Sequence, residues 1–320
     1  MNALIGTGVA LITPFKPDLS VDHQALTAVV EFNISNGVNY LVISGTTGES
    51  VTITAKEKKE IINTIIKTNN GRVPLVIGIG GNNTAAVVEE LQSTDLSPFA
   101  AILSVAPYYS KPTQEGFYQH FKAIAQASTI PVILYNVPGR TAKNMESSTI
   151  LRLANDFESI VAVKEAGNNM DQYLELIKNK PSDFLVISGD DDLVLGVTLA
   201  GGSGVISVIG QAFPKEFSQM IQWGIDGNSK DSRAMETRLM PVINMIFEEN
   251  NPAGIKAVLK KMNYCEDSVR LPLVPATEEL QSKIQPGDIV VIHYSGHGQQ
   301  IFDNNGDEID DKDEAIVPYD

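Results

Sequence analysis

The sequence predicts an α/β protein: a (β/α)8 TIM barrel with a C-terminal helical appendage and a short tail of different composition. Eight short runs are rich in β-branched residues and mostly apolar throughout, as expected of parallel strands covered on both faces. Successive runs begin roughly 20–34 residues apart, the length of one strand–helix unit. A doubly wound open sheet is the alternative fold, but no G-x-G-x-x-G motif follows the first run.

Helical patterns separate the eight runs. The first of them, over residues 22–37, has its apolar residues at helical spacing and ends at Gly37, a residue typical of helix C-termini. Each run is predicted to form one barrel strand. The runs are residues 8–15, 40–45, 74–80, 100–107, 131–138, 160–167, 184–191 and 203–210.

Further helices are predicted after the last run, with cores at residues 214–227, 240–249 and 252–262. We expect them to lean against the barrel. The chain is therefore divided into a barrel (1–213), a helical region (214–283) and a tail (284–320) that is too short to be an independent domain.

Composition excludes several classes of function. The formal net charge of −15 argues against a nucleic-acid partner, which selects basic surfaces. The single cysteine, Cys265, excludes an internal disulfide framework and a multi-cysteine metal site. No stretch is long and apolar enough to span a membrane, and the N-terminus lacks the basic region of a secretion signal, so a cytoplasmic location is expected.

Unusual side chains follow the predicted strands at the barrel end where chemistry occurs in this fold. Lys164 ends a buried run, and an amine held out of water is a candidate nucleophile that could form a Schiff base with a ketone. Residues 45–48 offer hydroxyls and backbone N–H groups suited to a small carboxylate. Tyr135 could relay protons, and Arg140 could bind a second carboxylate in a bidentate manner.

Each of these residues also has an ordinary structural interpretation. Lys164 could be a surface lysine, residues 45–48 a simple turn, Tyr135 a packed aromatic and Arg140 part of a surface ion pair. Their coincidence at one end of a single barrel favours the catalytic interpretation.

Several motifs together resemble the dihydrodipicolinate synthase branch of the pyruvate-dependent lyase and aldolase family. They are GTTGES (45–50), PYYSKPTQEG (107–116), YNVPGRT (135–141), VAVKEAG (161–167), and GDD (189–191) followed by GGSGVISV (201–208). The resemblance extends from about residue 5 to about residue 280 in consistent order and spacing. It implies a (β/α)8 barrel with C-terminal helices, in agreement with the strand count.

The resemblance implies a Schiff-base lyase of lysine (diaminopimelate) biosynthesis. Its substrates would be pyruvate and aspartate 4-semialdehyde, and it would need no metal and no organic cofactor. Lys164 would form the Schiff base, while Tyr135, Thr46 and Tyr109 would form a proton relay. Tyr109 would cross into the neighbouring subunit's site, which implies a homodimer or homotetramer.

The resemblance also implies the substrate-binding residues. Thr47 and Thr46 would hold the pyruvate carboxylate, Arg140 the carboxylate of the semialdehyde, and the carbonyl of Ile206 would line the pocket. Gly45 and Gly189 complete this set.

Two other functions remain open. One is a different pyruvate-dependent aldolase, such as an N-acetylneuraminate lyase or a keto-deoxy-sugar-acid aldolase. Those relatives usually carry Ser-Thr in the first motif and lack the arginine of YNVPGRT, so Thr46-Thr47 and Arg140 favour the synthase. The other is a non-catalytic chimera dominated by its tail.

Members of the family that lysine inhibits carry a glutamate where this chain has Ala86. Ser50, Asn82 and Tyr108 are retained as candidate allosteric residues, while Ala55 and Lys58 replace histidines of some members. A regulatory site without its carboxylate would bind an α-ammonium group poorly. We therefore expect weak or absent inhibition by lysine.

The tail resembles the catalytic-histidine strand of metacaspases and caspase-like peptidases in the motif YSGHG, with His297 at the position of the catalytic histidine. His293 lies in the same segment. That chemistry requires a nearby cysteine, and Cys265 belongs to the helical region, so protease activity is not expected. A fusion, a mis-joined reading frame or an engineered chimera would each explain the segment.

Residues 286–320 hold nine acidic residues and one basic residue. Three of the acidic residues and one asparagine stand at calcium-loop positions 1, 3, 5 and 12, but the glycine, Gly306, occupies the fourth position rather than the sixth. A solvated acidic tail is therefore favoured over a calcium site. The four residues are Asp303, Asn305, Asp307 and Glu314.

Overall fold

The computed structural model describes residues 2–284, 299–302 and 312–315. Eight parallel strands close into a barrel in the order β1 to β8, which confirms the predicted fold. The strands are β1 (Gly6–Ala10), β2 (Tyr40–Ile43), β3 (Leu75–Gly78), β4 (Ala101–Val105), β5 (Val132–Asn136), β6 (Ile160–Glu165), β7 (Leu185–Ser188) and β8 (Gly204–Ser207). Seven of the eight apolar runs therefore contain one strand each, and the first run overlaps β1, which begins two residues before it.

Helices follow the strands and continue beyond the barrel. They are α1 (His23–Ser35), α2 (Ala55–Asn69), α3 (Thr84–Ser93), α4 (Gln114–Ala127), α5 (Pro138–Thr141), α6 (Ser147–Asp156), α7 (Met170–Asn179), α8 (Val194–Leu199), α9 (Pro214–Ile225), α10 (Ser229–Glu248), α11 (Ala253–Lys261) and α12 (Glu278–Lys283). The helix predicted over residues 22–37 is α1, and the three predicted C-terminal cores lie in α9, α10 and α11.

Local sequence signals fix where the helices begin. Asp22 caps α1 by accepting hydrogen bonds from the backbone N–H groups of Gln24 and Ala25. At α2, Thr54 and Glu57 form a reciprocal capping box. These caps hold the first turns of α1 and α2 on the outside of the barrel.

The barrel closes where β8 meets β1, and this contact requires a glycine. Gly204 pairs with Gly6 and has a φ of +129°. A Cβ atom at Gly204 would lie 2.0 Å from the carbonyl oxygen of Gly6. Any larger residue would therefore force the closing strands apart.

The core has three parts. One apolar cluster fills the barrel interior and includes Tyr40, Tyr135 and Ile206. A second lies between the strands and the surrounding helices. The third includes Phe217 of α9 and Leu239 of α10, and it joins the C-terminal helices to the barrel.

The C-terminal helices also make polar contacts with the barrel. Lys256 of α11 is fully buried, and its Nζ lies 2.5 Å from Oε1 of Glu49, which follows β2. Helix α9 packs on β1 and β8, and α10 packs on α9. The division of the chain at residue 213 stays a prediction from the sequence.

In the tail, β9 (Gln299–Phe302) and β10 (Lys312–Ala315) pair in antiparallel orientation. His293, His297 and the calcium-spaced residues 303–307 lie outside the described residues, so the predictions on them stay predictions. Within the described part of the chain, none of the helices combines the length and apolarity needed to cross a membrane.

Candidate active site

Lys164 and Tyr135 lie side by side at the carboxyl ends of two neighbouring strands. They are register partners in the β5–β6 pair, and the Lys164 Nζ is 4.6 Å from the centroid of the Tyr135 ring. Lys164 is only 6% exposed. The barrel thus holds an amine against a phenol in a largely desolvated position, and the aromatic face favours a positive charge there.

A cavity of about 370 Å³ opens above this pair, and we call it the central cavity. Its volume is suited to a small organic substrate. Most of the residues predicted from the strand ends line it together. They are Gly45, Thr46, Thr47, Tyr135, Arg140, Lys164 and Gly189.

Residues 45–50, which we call the threonine loop, form one wall of the central cavity. The N–H of Gly48 donates to the carbonyl of Gly45 over 3.1 Å, which makes the loop a tight turn. Thr46 is exposed, whereas Thr47 is buried and its Oγ1 accepts a hydrogen bond of 2.9 Å from Asn251 Nδ2. Two hydroxyls therefore line the cavity that Lys164 also lines, one exposed and one held by a hydrogen bond.

Gly189 allows the loop after β7 to approach the lysine. A Cβ atom at this position would lie 2.9 Å from Lys164 Cε and 2.6 Å from the Cβ of Ala166. A side chain here would displace the lysine. The glycine of the GDD motif is therefore needed for packing as well as for open space in the cavity.

Arg140 is on α5, the short helix that follows β5 directly. Pro138 begins this helix, where its missing N–H costs no hydrogen bond. The Arg140 side chain lines the central cavity, and its Nη2 donates to Asn250 Oδ1 over 3.3 Å. Within the described part of the chain, no other group accepts from the guanidinium, so its remaining donors are available to a carboxylate.

Two predicted site residues do not line the central cavity. Tyr109 is 88% exposed, on the loop after β4, with a φ of +69°. Ile206 is fully buried in β8 and packs in the barrel interior. Their predicted roles, a relay across a subunit interface and a carbonyl contact, stay predictions.

Of the three candidate allosteric residues, Ser50 lines the central cavity. The other two contact each other, since Asn82 Nδ2 donates to the carbonyl oxygen of Tyr108 over 3.3 Å. The regulatory role of this group also stays a prediction.

Sequence reasoning missed a buried carboxyl group directly behind the lysine. Glu165 follows Lys164 and therefore faces the opposite side of β6, where it accepts hydrogen bonds from Asn136 Nδ2 and from Gln172 Nε2. Burial raises the pKa of Glu165 to about 7. Asn136 is the register partner of Glu165, so this contact ties together the two strands that carry Tyr135 and Lys164.

Of the two aspartates of the GDD motif near the lysine, Asp191 is buried and Asp190 is half-buried. Burial raises the pKa of Asp190, and it raises the pKa of Asp191 to about 6, while the charge of Lys164 acts in the opposite direction on both. Asp191 accepts hydrogen bonds from the N–H groups of Val208 and Ile209 at 3.0 and 2.9 Å. The motif pointed to this turn, but the sequence did not indicate which carboxyl would be buried.

The chemistry available at this site is that of an amine, a phenol and hydroxyls. Such groups can form and protonate a carbinolamine, while the guanidinium and the threonine loop can hold carboxylates. Among the described residues, no three His, Cys, Asp or Glu side chains are grouped so that they could hold a metal ion.

Replacing Glu165 with glutamine should flatten the pH dependence of stability. In the folded chain its pKa of about 7 lies above the ordinary 4.5, so its contribution to stability is complete at low pH and is lost as the pH rises through 7. Between pH 5 and 8 the wild-type free energy of unfolding should fall by about 2–3 kcal/mol more than that of Glu165→Gln.

Urea denaturation of both proteins at the two pH values measures this difference. Asp190 and Asp191 also lower the free energy of unfolding as the pH rises. They do so in both proteins, so their contribution cancels in the comparison. Equal pH dependence in the two proteins would contradict the assignment of a titrating, buried Glu165.

Comparison with known proteins agrees with this geometry. Residues 3–287 match the Dihydrodipicolinate synthetase family. The 4-hydroxy-tetrahydrodipicolinate synthase of Flavobacterium psychrophilum is 57% identical over 284 residues, covering 89% of this chain and 97% of that protein. The enzyme of the same name from Azobacteroides pseudotrichonymphae is 50% identical over 88% of this chain and 95% of that protein.

The fold is also similar to solved structures. The chloride-inhibited dihydrodipicolinate synthase of Acinetobacter baumannii, solved in complex with pyruvate, superimposes with a TM-score of 0.87 at 35% identity. The match covers 91% of this chain and 99% of that one. The chain therefore belongs to the dihydrodipicolinate synthetase family.

Proposed function

We propose that this chain is a cytoplasmic lyase that condenses pyruvate with L-aspartate 4-semialdehyde to 4-hydroxy-tetrahydrodipicolinate through a Schiff base on Lys164. The observation that carries the proposal is the buried Lys164 amine against Tyr135, facing a cavity lined by Thr46, Thr47 and Arg140. Family membership and the names of the similar proteins support the same reaction.

The reaction begins when the Lys164 amine attacks the keto carbon of pyruvate. Loss of water gives the imine, and removal of a proton from the methyl carbon gives an enamine. The enamine carbon attacks the aldehyde of the second substrate. The amino group of that substrate then displaces Lys164 from the former keto carbon, which closes the ring and restores the free lysine.

We assign the supporting roles from the charge and position of the side chains. Thr47 and Thr46 hold the carboxylate of pyruvate, and Arg140 holds the carboxylate of the semialdehyde. Tyr135, next to the amine, moves protons to and from the carbinolamine oxygen. The required proton transfers are thereby made over short distances inside the cavity.

Trapping the imine tests the proposal directly. Incubation with pyruvate followed by borohydride reduction should add one reduced pyruvoyl group to Lys164, located by peptide mass spectrometry. Lys256 is an internal control in the same digest, because it is fully buried and paired with Glu49. Lys164→Arg should remain unlabelled, and a folded wild-type sample that stays unlabelled would rule the mechanism out.

A different pyruvate-dependent aldolase remains the second candidate. The observation that supports this alternative is the pair of Lys164 and Tyr135, because a sialic-acid or sugar-acid lyase would also use a lysine and a tyrosine. Rates with aspartate semialdehyde, with N-acetylneuraminate and with keto-deoxy sugar acids discriminate between the two. A higher kcat/KM for either sugar substrate would favour the alternative.

The same proposal includes a homodimer or homotetramer in which Tyr109 serves the neighbouring subunit's site. The exposure of this tyrosine, beside exposed Tyr108, is consistent with a role outside its own cavity. Lys164→Ala and Tyr109→Phe should each be nearly inactive, whereas their mixture should regain up to about a quarter of the wild-type rate after subunit exchange. No recovery, or a monomer in sedimentation, would contradict this assignment.

Lysine should inhibit the enzyme only weakly. Ala86 supplies no carboxylate, and the nearby Glu90 carboxylate lies 2.5 Å from the Lys58 ammonium, which already neutralises it. An added α-ammonium group would therefore lack a partner. A rate titration should give half-inhibition only above about 1 mM.

Ala86→Glu is the matched variant, and it should become more sensitive to lysine because it restores a carboxylate at this edge of the cavity. Half-inhibition of the wild type well below 1 mM would refute the expectation.

A further inference from the structure

Two consecutive asparagines join the C-terminal helices to the central cavity. Asn250 and Asn251 lie between the end of α10 at Glu248 and the start of α11 at Ala253, and we call them the asparagine junction. Asn251 lines the central cavity and is only 6% exposed. The junction is therefore part of the site although it is more than 80 residues beyond Lys164 in the chain.

Asn251 determines how the Thr47 hydroxyl can bind. Its Nδ2 donates to Thr47 Oγ1 over 2.9 Å. A hydroxyl has one proton to donate, and because Thr47 accepts this bond, its own proton remains available for a second acceptor. The best such acceptor in the proposed reaction is the carboxylate of pyruvate.

The other end of the Asn251 amide makes no competing contact. Its Oδ1 is buried and has no hydrogen-bond partner within the described part of the chain. The bond from Nδ2 to Thr47 is therefore the contact that positions this amide in the described structure.

Asn250 makes the corresponding contact with Arg140. It adopts a φ of +77°, in the left-handed region that asparagine tolerates better than most residues. Its Oδ1 accepts a hydrogen bond of 3.3 Å from Arg140 Nη2. This bond fixes one end of the guanidinium and leaves the other nitrogens for a carboxylate.

The asparagine junction is itself held by contacts that involve no substrate. Glu249 accepts a hydrogen bond of 2.8 Å from the N–H of Thr277. On the other side, Lys256 is paired with Glu49 and also donates to the carbonyl oxygen of Ser268 over 2.8 Å. The junction is thereby fixed before any substrate arrives.

We propose that the asparagine junction positions the binding groups for both substrates: Asn251 keeps Thr47 as a donor to the pyruvate carboxylate, and Asn250 orients Arg140 toward the carboxylate of the semialdehyde. The inference rests on the proposed function and extends it to residues of the C-terminal helices. Both asparagines are positioning residues, since each acts through another side chain.

Steady-state kinetics of three variants tests this assignment. The carboxylate of Asn251→Asp can only accept a hydrogen bond from Thr47, so the hydroxyl proton is no longer available to pyruvate. The variant also adds a negative charge. KM for pyruvate should therefore rise about tenfold or more. Asn251→Ala should raise it about threefold to tenfold. Asn250→Ala should raise KM for the semialdehyde about threefold and leave KM for pyruvate unchanged.

Asn244→Ala, on the exposed side of α10, is the matched control and should change neither constant. A purely structural role would instead lower kcat and shift both KM values in every junction variant. An Asn251→Asp enzyme with the wild-type KM for pyruvate would overturn the proposal, since it would mean that Thr47 donates to Asn251.

Thermal melting identifies a variant that does not fold. If Asn251→Asp is such a variant, Thr47→Val is compared in the wild-type and Asn251→Ala backgrounds. Thr47→Val should raise KM for pyruvate less in the Asn251→Ala background, and an equal increase in both backgrounds would contradict the proposal.

Borohydride labelling at saturating pyruvate separates this inference from the proposed function. Labelling of Lys164 should persist in all the junction variants, with half-saturation shifted only in the Asn251 variants. Absence of label in the wild type would refute the reaction itself. Normal labelling with unshifted half-saturation in the Asn251 variants would refute only the positioning role.

Discussion

The buried ion pair between Glu49 and Lys256 is the constraint on which the geometry of the site depends. Removing two charges from water is costly, and the cost is offset only where the remaining polar atoms also find partners. Here the Ser268 carbonyl accepts from Lys256, and the Arg270 N–H donates to Glu49 at 2.9 Å. Burial lowers the pKa of Lys256, with the carboxylate opposing that effect.

The Glu49–Lys256 pair is important because its two residues belong to distant parts of the chain. Glu49 belongs to the threonine loop and has a φ of +53°, which a non-glycine residue adopts only when its surroundings hold it there. Lys256 belongs to α11, just beyond the asparagine junction. One interaction therefore connects the threonine loop, which lines the central cavity, to the C-terminal helices.

The sequence predicted the barrel and the candidate site residues for a simple physical reason. Parallel strands covered on both faces must be apolar throughout, so the polar residues at their ends stand out, and Lys164, Tyr135 and Arg140 were chosen as candidates in this way. The strand bounds were less predictable: every run continues past the C-terminal end of its strand, and β1 begins two residues before its run.

The supporting residues could not be predicted in the same way, because their partners are remote in the chain. Glu49 and Lys256 are 207 positions apart, and Asn251 and Thr47 are 204 apart. Glu165 is adjacent to the predicted residue Lys164. Its contact with Asn136, however, crosses from β6 to β5 and can be predicted only when the strand register is known. A paired asparagine before a proline was the one local signal of the junction, and it resembles an ordinary turn.

The buried acids around Lys164 give the site its electrostatic asymmetry. The positive charge of Lys164 lowers the pKa of both Asp190 and Asp191, against the larger effect of burial. Both carboxyl groups therefore lie close enough to the lysine nitrogen to interact with it electrostatically. In the proposed reaction a protonated imine would form on that nitrogen, and nearby carboxylates would favour its positive charge. In the proposed reaction the substrate carboxylates would instead be bound by the hydroxyls of the threonine loop and by the Arg140 guanidinium, which line the same cavity.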